Sequence, residues 1–163
     1  MSLARRLVFG SNPSRTAIRI LVLAVVSVIA FRWVLLPVRT EGISMLPNYA
    51  SGRVTLINRL PILRHGPSRG DIVAIRLAGP HVVYVKRVIG LPGERLKIVG
   101  GQVYIDGVPL GEPYVKYRGP WDVPEVTLTS TEYYVIGDNR GMRASDHSFG
   151  RVNAERILGR LLF

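Results

Sequence analysis

A long apolar segment near the N-terminus dominates the hydropathy pattern of the chain. Residues 20–38 include nineteen positions with a single charge, at Arg32. At a rise of about 1.5 Å per residue, a helix of this length crosses a bilayer core of roughly 30 Å. Arg32 lies near the outer end, where its side chain can reach the headgroups. The pattern predicts a transmembrane anchor over residues 17–38. A cleaved secretory signal is the alternative, but residues 35–39 contain no small-x-small cleavage site.

Beyond residue 40 the pattern changes to short runs rich in β-branched residues, separated by glycine and proline, which is typical of strands. We predict strands at residues 54–57, 71–77, 82–89, 96–99 and 133–136. A chain of 163 residues provides enough length for one core. The sequence therefore predicts a mainly β protein, with the anchor followed by one compact antiparallel β domain over residues 39–163.

Two pairs of turn residues predict hairpins inside this domain. Gly100-Gly101 and Asp106-Gly107 each separate two short β-rich runs, and two-residue loops of this kind favour tight hairpins. They predict a small hairpin lobe of about twenty residues. Residues 111–130 are rich in proline and predict an irregular connection. A helical turn is expected after residue 40 only at residues 153–156.

The charge distribution predicts how the anchor is oriented. The net charge is +11, and residues 1–39 hold six arginines and no acidic residue. Cationic residues before an apolar span favour the cytoplasmic side. We therefore expect a single-pass protein of the cell membrane, with residues 1–16 in the cytoplasm and residues 39–163 outside it. Because the charge flanks an apolar segment, it favours a lipid bilayer as partner over a nucleic acid.

The composition bounds the chemistry. The chain has no cysteine, which excludes thiolate catalysis and a disulfide framework. Its three histidines show no paired ligand spacing. We expect neither a metal nor a cofactor.

Lys86 lies in the middle of the apolar run at residues 82–89. In a strand, alternation places it on one face with Val82, Tyr84 and Val88, and places Arg87 on the other face. Burial can lower the pKa of a lysine from about 10.4 by roughly 3 to 5 units, so Lys86 is a candidate for a neutral general base. The alternative is a lysine that protects a sheet edge from pairing.

Ser44 is the candidate that would use such a base. It lies in an apolar turn, Gly42-Ile43-Ser44-Met45-Leu46-Pro47, shortly after the predicted anchor. A serine nucleophile activated by a lysine at a membrane surface is one interpretation. A simple turn-forming serine ahead of Pro47 is the other, since short motifs have many false positives.

Four segments of the chain resemble, in the same order, the successive boxes of type I signal peptidases. They are Ser44-Met45-Leu46-Pro47, Arg69-Gly70-Asp71-Ile72-Val73, Lys86-Arg87-Val88-Ile89-Gly90-Leu91-Pro92-Gly93-Glu94 and Gly137-Asp138-Asn139-Arg140. The resemblance implies that Ser44 attacks the scissile carbonyl of a signal-peptide-bearing precursor and that neutral Lys86 takes and returns the proton. It also implies that Arg87 pairs with Asp138, in a supporting role.

The chain departs from the family pattern in two places. Gly42 stands where some members carry a hydroxyl that would serve as a second oxyanion donor. After the Gly-Asp-Asn-Arg box, the family usually has a supporting serine and an aspartate at fixed spacing. An ungapped alignment puts Arg143 at the position of that serine and Ser145 at the position of that aspartate. A shift of one residue makes Ser145 the residue that orients Lys86, with Asp146 as the weaker candidate. His147 is interpreted as a solvated loop histidine.

The resemblance further implies a substrate with small residues at the first and third positions before the cleaved bond. Candidate residues for lining shallow apolar pockets are Ile43, Met45, Leu46, Val82 and Tyr84. Three alternatives stay open. They are a specialised peptidase of a pilin or transfer system with the same dyad, an inert anchored β module that binds peptides by strand addition, and a basic module that recruits acidic lipid.

Overall fold

The computed structural model describes residues 12–40, 42–76 and 83–162, and the chain divides into two compact units, Met1–Leu36 and Pro37–Phe163. Helix α1 (Pro13–Ile29) forms most of the described part of the first unit, residues 12–36. The Asn12 side chain accepts a hydrogen bond from the N–H of Arg15 at 3.4 Å, which caps the helix N-terminus.

Helix α1 is mostly apolar, and its large apolar side chains are exposed. Ile18, Leu21 and Leu23 are each more than 60 % exposed, and a π-helical turn (Ala30–Val34) continues it. Within the described residues, Ser14–Val34 is the segment long and apolar enough to cross a membrane. Strand β1 (Leu35–Arg39) follows at once, so residues 35–38, which the sequence analysis included in the anchor, are extended rather than helical.

The second unit is built on two antiparallel sheets. The strands after β1 are β2 (Val54–Asn58), β3 (Ile72–Arg76), β4 (Val83–Gly90), β5 (Arg95–Val99), β6 (Gln102–Ile105), β7 (Val108–Pro109), β8 (Val123–Thr127), β9 (Glu132–Ile136), β10 (Gly150–Asn153) and β11 (Ile157–Leu161). The larger sheet has the strand order β1-β2-β11-β3-β4-β9-β10 and the smaller one has the order β7-β6-β5-β8. The mainly β prediction is confirmed.

Both predicted hairpins are present. Val99 pairs with Gln102 across Gly100-Gly101, and Ile105 pairs with Val108 across Asp106-Gly107. The lobe is larger than predicted because β8 adds to its edge. Strand β8 lies in the segment predicted to be irregular, where its proline and charged residues hide the strand pattern.

Three short helical elements interrupt the strands in the described part of the chain, and one of them is a 3-10 helix (Ala144–Asp146) that was not predicted. The predicted turn near residue 154 is a 3-10 helix (Ala154–Arg156). Helix α2 (Leu60–His65) was not predicted, because six residues are too few to show a helical period.

One apolar cluster packs against the face of the larger sheet that carries Val88. It contains Val73, Ile75, Val88, Tyr133, Val135, Val152 and Ile157. A second cluster, around Ile89, Leu96 and Trp121, joins the hairpin lobe to the end of β4. Strand β4 therefore contributes residues to both clusters and lies between them.

Candidate active site

Lys86 is buried at the centre of an interior strand. Strand β4 is paired with β3 on one side, where Lys86 lies opposite Val73, and with β9 on the other. Lys86 is 3 % exposed. The alternative of a lysine that protects a sheet edge is wrong, because this side chain is buried.

Burial changes the protonation of this amine. Desolvation lowers the pKa of Lys86 to about 8, because the charged form loses its hydration. At pH 7 about one tenth of the molecules then carry a neutral amine, against about one in 10³ to 10⁴ for a free lysine.

Arg87 points to the opposite face of β4 and stays charged through its contacts. Its Nε and Nη2 atoms donate to the two oxygens of Asp138 at 2.8 and 2.5 Å. A third donor, Nη1, reaches the Gly70 carbonyl at 2.8 Å, and the guanidinium lies 4.0 Å from the ring centre of Tyr114. The predicted pairing of Arg87 with Asp138 is present, in the bidentate geometry that arginine favours.

The loop that contains Asp138 also holds the turn around Ser44. The main-chain N–H of Asn139 donates to the Ser44 carbonyl at 2.9 Å, and its side-chain amide donates to the Ile43 carbonyl at 3.0 Å. The Asn48 amide donates to Asp138 at 2.8 Å. We call residues 137–140 the clamp loop. It connects the Ser44 turn to Arg87, the neighbour of Lys86.

The clamp loop and the Ser44 turn meet at Gly137. A Cβ atom at this position would lie 2.2 Å from the Ser44 carbonyl oxygen and 2.7 Å from Cε1 and Nε2 of His147. Real Cβ atoms do not approach backbone this closely, so glycine is required here by space.

A buried ion pair fixes the other side of the clamp loop. Arg140 is 2 % exposed and Glu112 is 4 % exposed. The guanidinium donates to Glu112 Oε1 at 2.5 Å and to the Gly137 carbonyl at 2.8 Å. We call residues 111–120 the strap. They contain no helix or strand, as predicted, but they place Glu112 in the interior and the ring of Tyr114 against Arg87.

His147 is buried, at 4 % exposed, and the expectation of a solvated loop histidine is wrong. Its ring packs against Trp121 and Phe149, with ring centres 5.0 and 6.0 Å away. Among the described residues, neither ring nitrogen makes a hydrogen bond of good geometry, although the backbone of Ser44 and of Ser148 lies close enough to act on the ring. Burial, and then the charge of Lys86, lower the pKa of His147 to about 4.

The two residues expected to orient Lys86 lie elsewhere. Ser145 and Asp146 are exposed, and the Ser145 hydroxyl donates to Asp146 Oδ1 at 3.1 Å. Within the described residues, no hydrogen bond connects Lys86 to Ser145, Asp146 or the Ser44 hydroxyl. The loop instead turns His147 inward, so the group buried near Lys86 is an imidazole.

Two cavities adjoin the candidate residues. A small one of about 10 Å³ is lined by Ser44, Met45 and Val85, among others. A larger one of about 270 Å³ is lined by Ile75, Tyr84, Lys86, Val135, Ser148, Phe149, Arg151 and Val152. Of the other residues expected to line pockets, Ile43 is 53 % exposed and Leu46 is half-buried. Val82 lies outside the described residues.

Sequence reasoning missed Glu112, Asn48 and His147. Nothing in their local sequence marks them, since each is a polar residue in a loop. Burial identifies Glu112 and His147, and the long-range hydrogen bond to Asp138 identifies the exposed Asn48. Only the fold provides these signals. Asn139 and Arg140, by contrast, lie in the Gly-Asp-Asn-Arg box that the sequence already singled out.

Comparison with known proteins identifies the class of this chain. The family profile described as "Signal peptidase, peptidase S26" matches residues 14–163. Signal peptidase I V of Bacillus subtilis (strain 168) is 35 % identical over 136 residues, which cover 74 % of this chain and 80 % of that protein. Probable signal peptidase I-2 of Synechocystis sp. is 32 % identical over 123 residues, covering 72 % of this chain and 56 % of the relative.

A crystal structure of a signal peptidase I from Enterococcus faecalis V583 is 29 % identical, with a TM-score of 0.48. The match covers 58 % of this chain and 96 % of that one. The sequence matches define a hydrolase of the serine endopeptidase class. The chain belongs to the signal peptidase family, peptidase S26.

Proposed function

We propose that the chain removes signal peptides from secretory precursors, with Ser44 as nucleophile and Lys86 as general base. The observation that carries the proposal is the burial of Lys86 on an interior strand, which lowers its pKa to about 8. An amine with that pKa can accept a proton near neutral pH. Membership of the family supports signal-peptide removal by a serine peptidase.

The dyad performs acylation in two proton transfers. The Ser44 oxygen attacks the scissile carbonyl carbon while its proton passes to Lys86 Nζ, giving a tetrahedral oxyanion and an ammonium. The carbon–nitrogen bond then breaks, and the ammonium returns the proton to the departing amine. The Ser44 main-chain N–H is the expected donor to the oxyanion.

Deacylation repeats the sequence with water. Lys86 takes a proton from the water molecule that attacks the acyl-enzyme carbonyl. The proton is then delivered to Ser44 as the ester bond breaks, which regenerates the free hydroxyl and neutral amine. The same base serves both halves of the reaction, so its pKa must suit both.

The clamp loop supports this proposal by fixing the nucleophile. Its contacts to the carbonyls of Ser44 and Ile43 hold the serine turn. Its contact to Arg87 ties the turn to the strand that carries Lys86. Holding two reacting groups in place contributes much of the rate enhancement in enzymes.

The anchor supports a reaction at the membrane surface. Ser14–Val34 is long and apolar enough to span a bilayer. The positive-inside tendency predicts a cytoplasmic N-terminus and a β domain on the extracytoplasmic face. Signal-peptide-bearing precursors and the lipid bilayer are the partners that this arrangement requires.

Cleavage of a signal-bearing precursor in detergent micelles tests the proposal. Ser44→Ala and Lys86→Ala should abolish cleavage, whereas the matched exposed controls Ser130→Ala and Lys116→Ala should cleave like wild type. Cleavage by either dyad variant would overturn the assignment of that residue. A folded wild-type chain that cleaves no signal-bearing precursor would overturn the proposed substrate.

A further inference from the structure

His147 presents an unusual combination of burial and missing partners. The side chain is 4 % exposed, and neither ring nitrogen makes a hydrogen bond of good geometry within the described residues, although the backbone of Ser44 and of Ser148 lies close enough to act on the ring. Leaving a buried polar atom without a well-formed hydrogen bond destabilises the folded state. Such a group in a native structure requires an explanation, and a role in the reaction is one.

The location of the ring points to the dyad. The His147 ring and the Ser44 carbonyl oxygen both lie within 2.7 Å of one point, the position that a Cβ on Gly137 would occupy. The next two residues, Ser148 and Phe149, line the same cavity as Lys86. The imidazole therefore lies between the serine turn and the face of β4 that carries the amine.

The chemistry of a neutral amine requires an acceptor at this place. The Lys86 amine has one lone pair and two N–H bonds, and the lone pair must face the Ser44 hydroxyl to take its proton. The two N–H bonds must then point elsewhere. Ser145, the residue first expected to receive one of them, is exposed and donates to Asp146.

We infer that His147 is a positioning residue for Lys86: one ring nitrogen accepts an N–H of the amine and thereby turns its lone pair toward the Ser44 hydroxyl. The second ring nitrogen carries the proton and faces the Ser44 carbonyl, which can accept a second hydrogen bond besides that from Asn139. The inference rests on the dyad proposed above. When Lys86 holds the serine proton, the same ring nitrogen accepts an N–H of the ammonium.

The surroundings of His147 keep it neutral in this role. The charged groups that act on it are Lys86 on β4 and Arg140 on the clamp loop, both cationic. Two aromatic rings cover the imidazole with apolar surface. They are Trp121, from the segment after the strap, and Phe149, two residues after His147 in the chain. Since burial and both charges disfavour the imidazolium, the ring keeps a lone pair at neutral pH.

Kinetics of His147→Leu and His147→Gln in detergent micelles test the inference. Leucine fills the space without an acceptor, whereas the glutamine amide oxygen supplies one. His147→Leu should lower kcat by about 10² with little change in KM, and His147→Gln should recover most of the loss. Wild-type kcat in a folded His147→Leu variant, or a His147→Gln variant as slow as His147→Leu, would overturn it.

The pH profile separates positioning from mere packing. Without the acceptor, the ammonium form of Lys86 loses a hydrogen bond, so its pKa falls and the acid limb of kcat/KM moves to lower pH. A packing defect would lower the rate by the same factor at every pH. An acid limb that does not move in His147→Leu would therefore overturn the inference.

A second measurement does not depend on activity or on the leucine variant folding. The imidazole signals of the three histidines can be titrated by NMR, with His147→Gln assigning the relevant one. Lys86→Met removes a neighbouring positive charge, so the pKa of His147 should rise from about 4. No change would overturn the inference. If instead Ser44→Ala or Lys86→Ala cleaves substrate, the proposed function fails independently of this result.

Discussion

The carbonyl of Ser44 accepts a hydrogen bond from the main-chain N–H of Asn139 at 2.9 Å. Strand β9 ends at the residue before the clamp loop, and it pairs with the strand that carries Lys86. The position of the candidate nucleophile is therefore set by the same sheet that positions the candidate base. This explains why two residues far apart in sequence can share one site.

Replacing Gly137 by alanine should displace the serine turn. The added Cβ would lie 2.2 Å from the Ser44 carbonyl oxygen and would also meet the His147 ring. A shift of about 1 Å in a reacting group can cost about 10² in rate, so we expect a loss of that order in kcat/KM. Gly141→Ala is the matched control, because the nearest atom to its Cβ is 3.6 Å away. Equal activities of the two variants would contradict the prediction.

Replacing Glu112 by leucine should destabilise the domain. It leaves Arg140 charged and buried without its acid partner, and breaking such a pair costs about 3 to 5 kcal/mol. The double variant Glu112→Leu/Arg140→Leu should recover part of this, because no uncompensated charge is left. Thermal unfolding in micelles measures both.

The control for this pair is Arg95→Ala. Arg95 and Asp106 form an ion pair at 3.5 Å in which both side chains are more than half exposed. Pairs of this kind contribute about 0 to 1 kcal/mol, so the melting temperature should hardly change. A fall in melting temperature as large as that of Glu112→Leu would contradict the prediction, because it would show that removing any charged side chain has this effect, whether or not the side chain is buried.

The pH dependence of cleavage should follow Lys86. Its pKa of about 8 means that the neutral fraction, and with it kcat/KM, rises tenfold per pH unit below that value and levels off above it. A profile measured from pH 5 to pH 10 tests this. An acid limb centred near pH 10 would show that the lysine is not desolvated in the working enzyme.

Lys86→Met should stabilise the protein while it abolishes cleavage. The pKa of Lys86 is lower when folded, at about 8, than when unfolded, at about 10.4. The unfolded chain therefore binds more protons between these values, and the stability of the wild type rises with pH in that window. The gain in melting temperature from methionine should thus be large at pH 7 and small above pH 10. A gain that is the same at both pH values would contradict this assignment.

The orientation of the chain can be tested because it has no native cysteine. A single cysteine at Ser130 or at Ser2 can be labelled with a membrane-impermeant maleimide in intact spheroplasts. The proposed topology predicts labelling of Ser130→Cys only, with Ser2→Cys labelled after lysis. The reverse pattern would place the β domain in the cytoplasm.

The sequence predicted the parts of this protein that depend on local periodicity. The alternation around Lys86 identified its strand and the two faces, and the glycine pairs identified both hairpins, because these signals span only a few residues. The pairing of Arg87 with Asp138 required the family resemblance. Glu112 and His147 could not be predicted as buried, since a polar loop residue is buried only by contacts that the fold creates. Helix α2 was too short to show a period.

Strand β4 carries two adjacent basic residues whose surroundings have opposite effects on their charge. Lys86 is desolvated on one face, whereas Arg87 on the other is held charged by Asp138. Because neighbouring residues of a strand face opposite sides, deleting the one residue between Val83 and Val85 would move Arg87 into the register position of Lys86 and turn Lys86 to the other face. A guanidinium, which does not give up its proton in proteins, would then occupy the place of the candidate base. The strand thus tolerates substitution far better than a change of length, and length variation among homologues should be confined to the loops on either side of it.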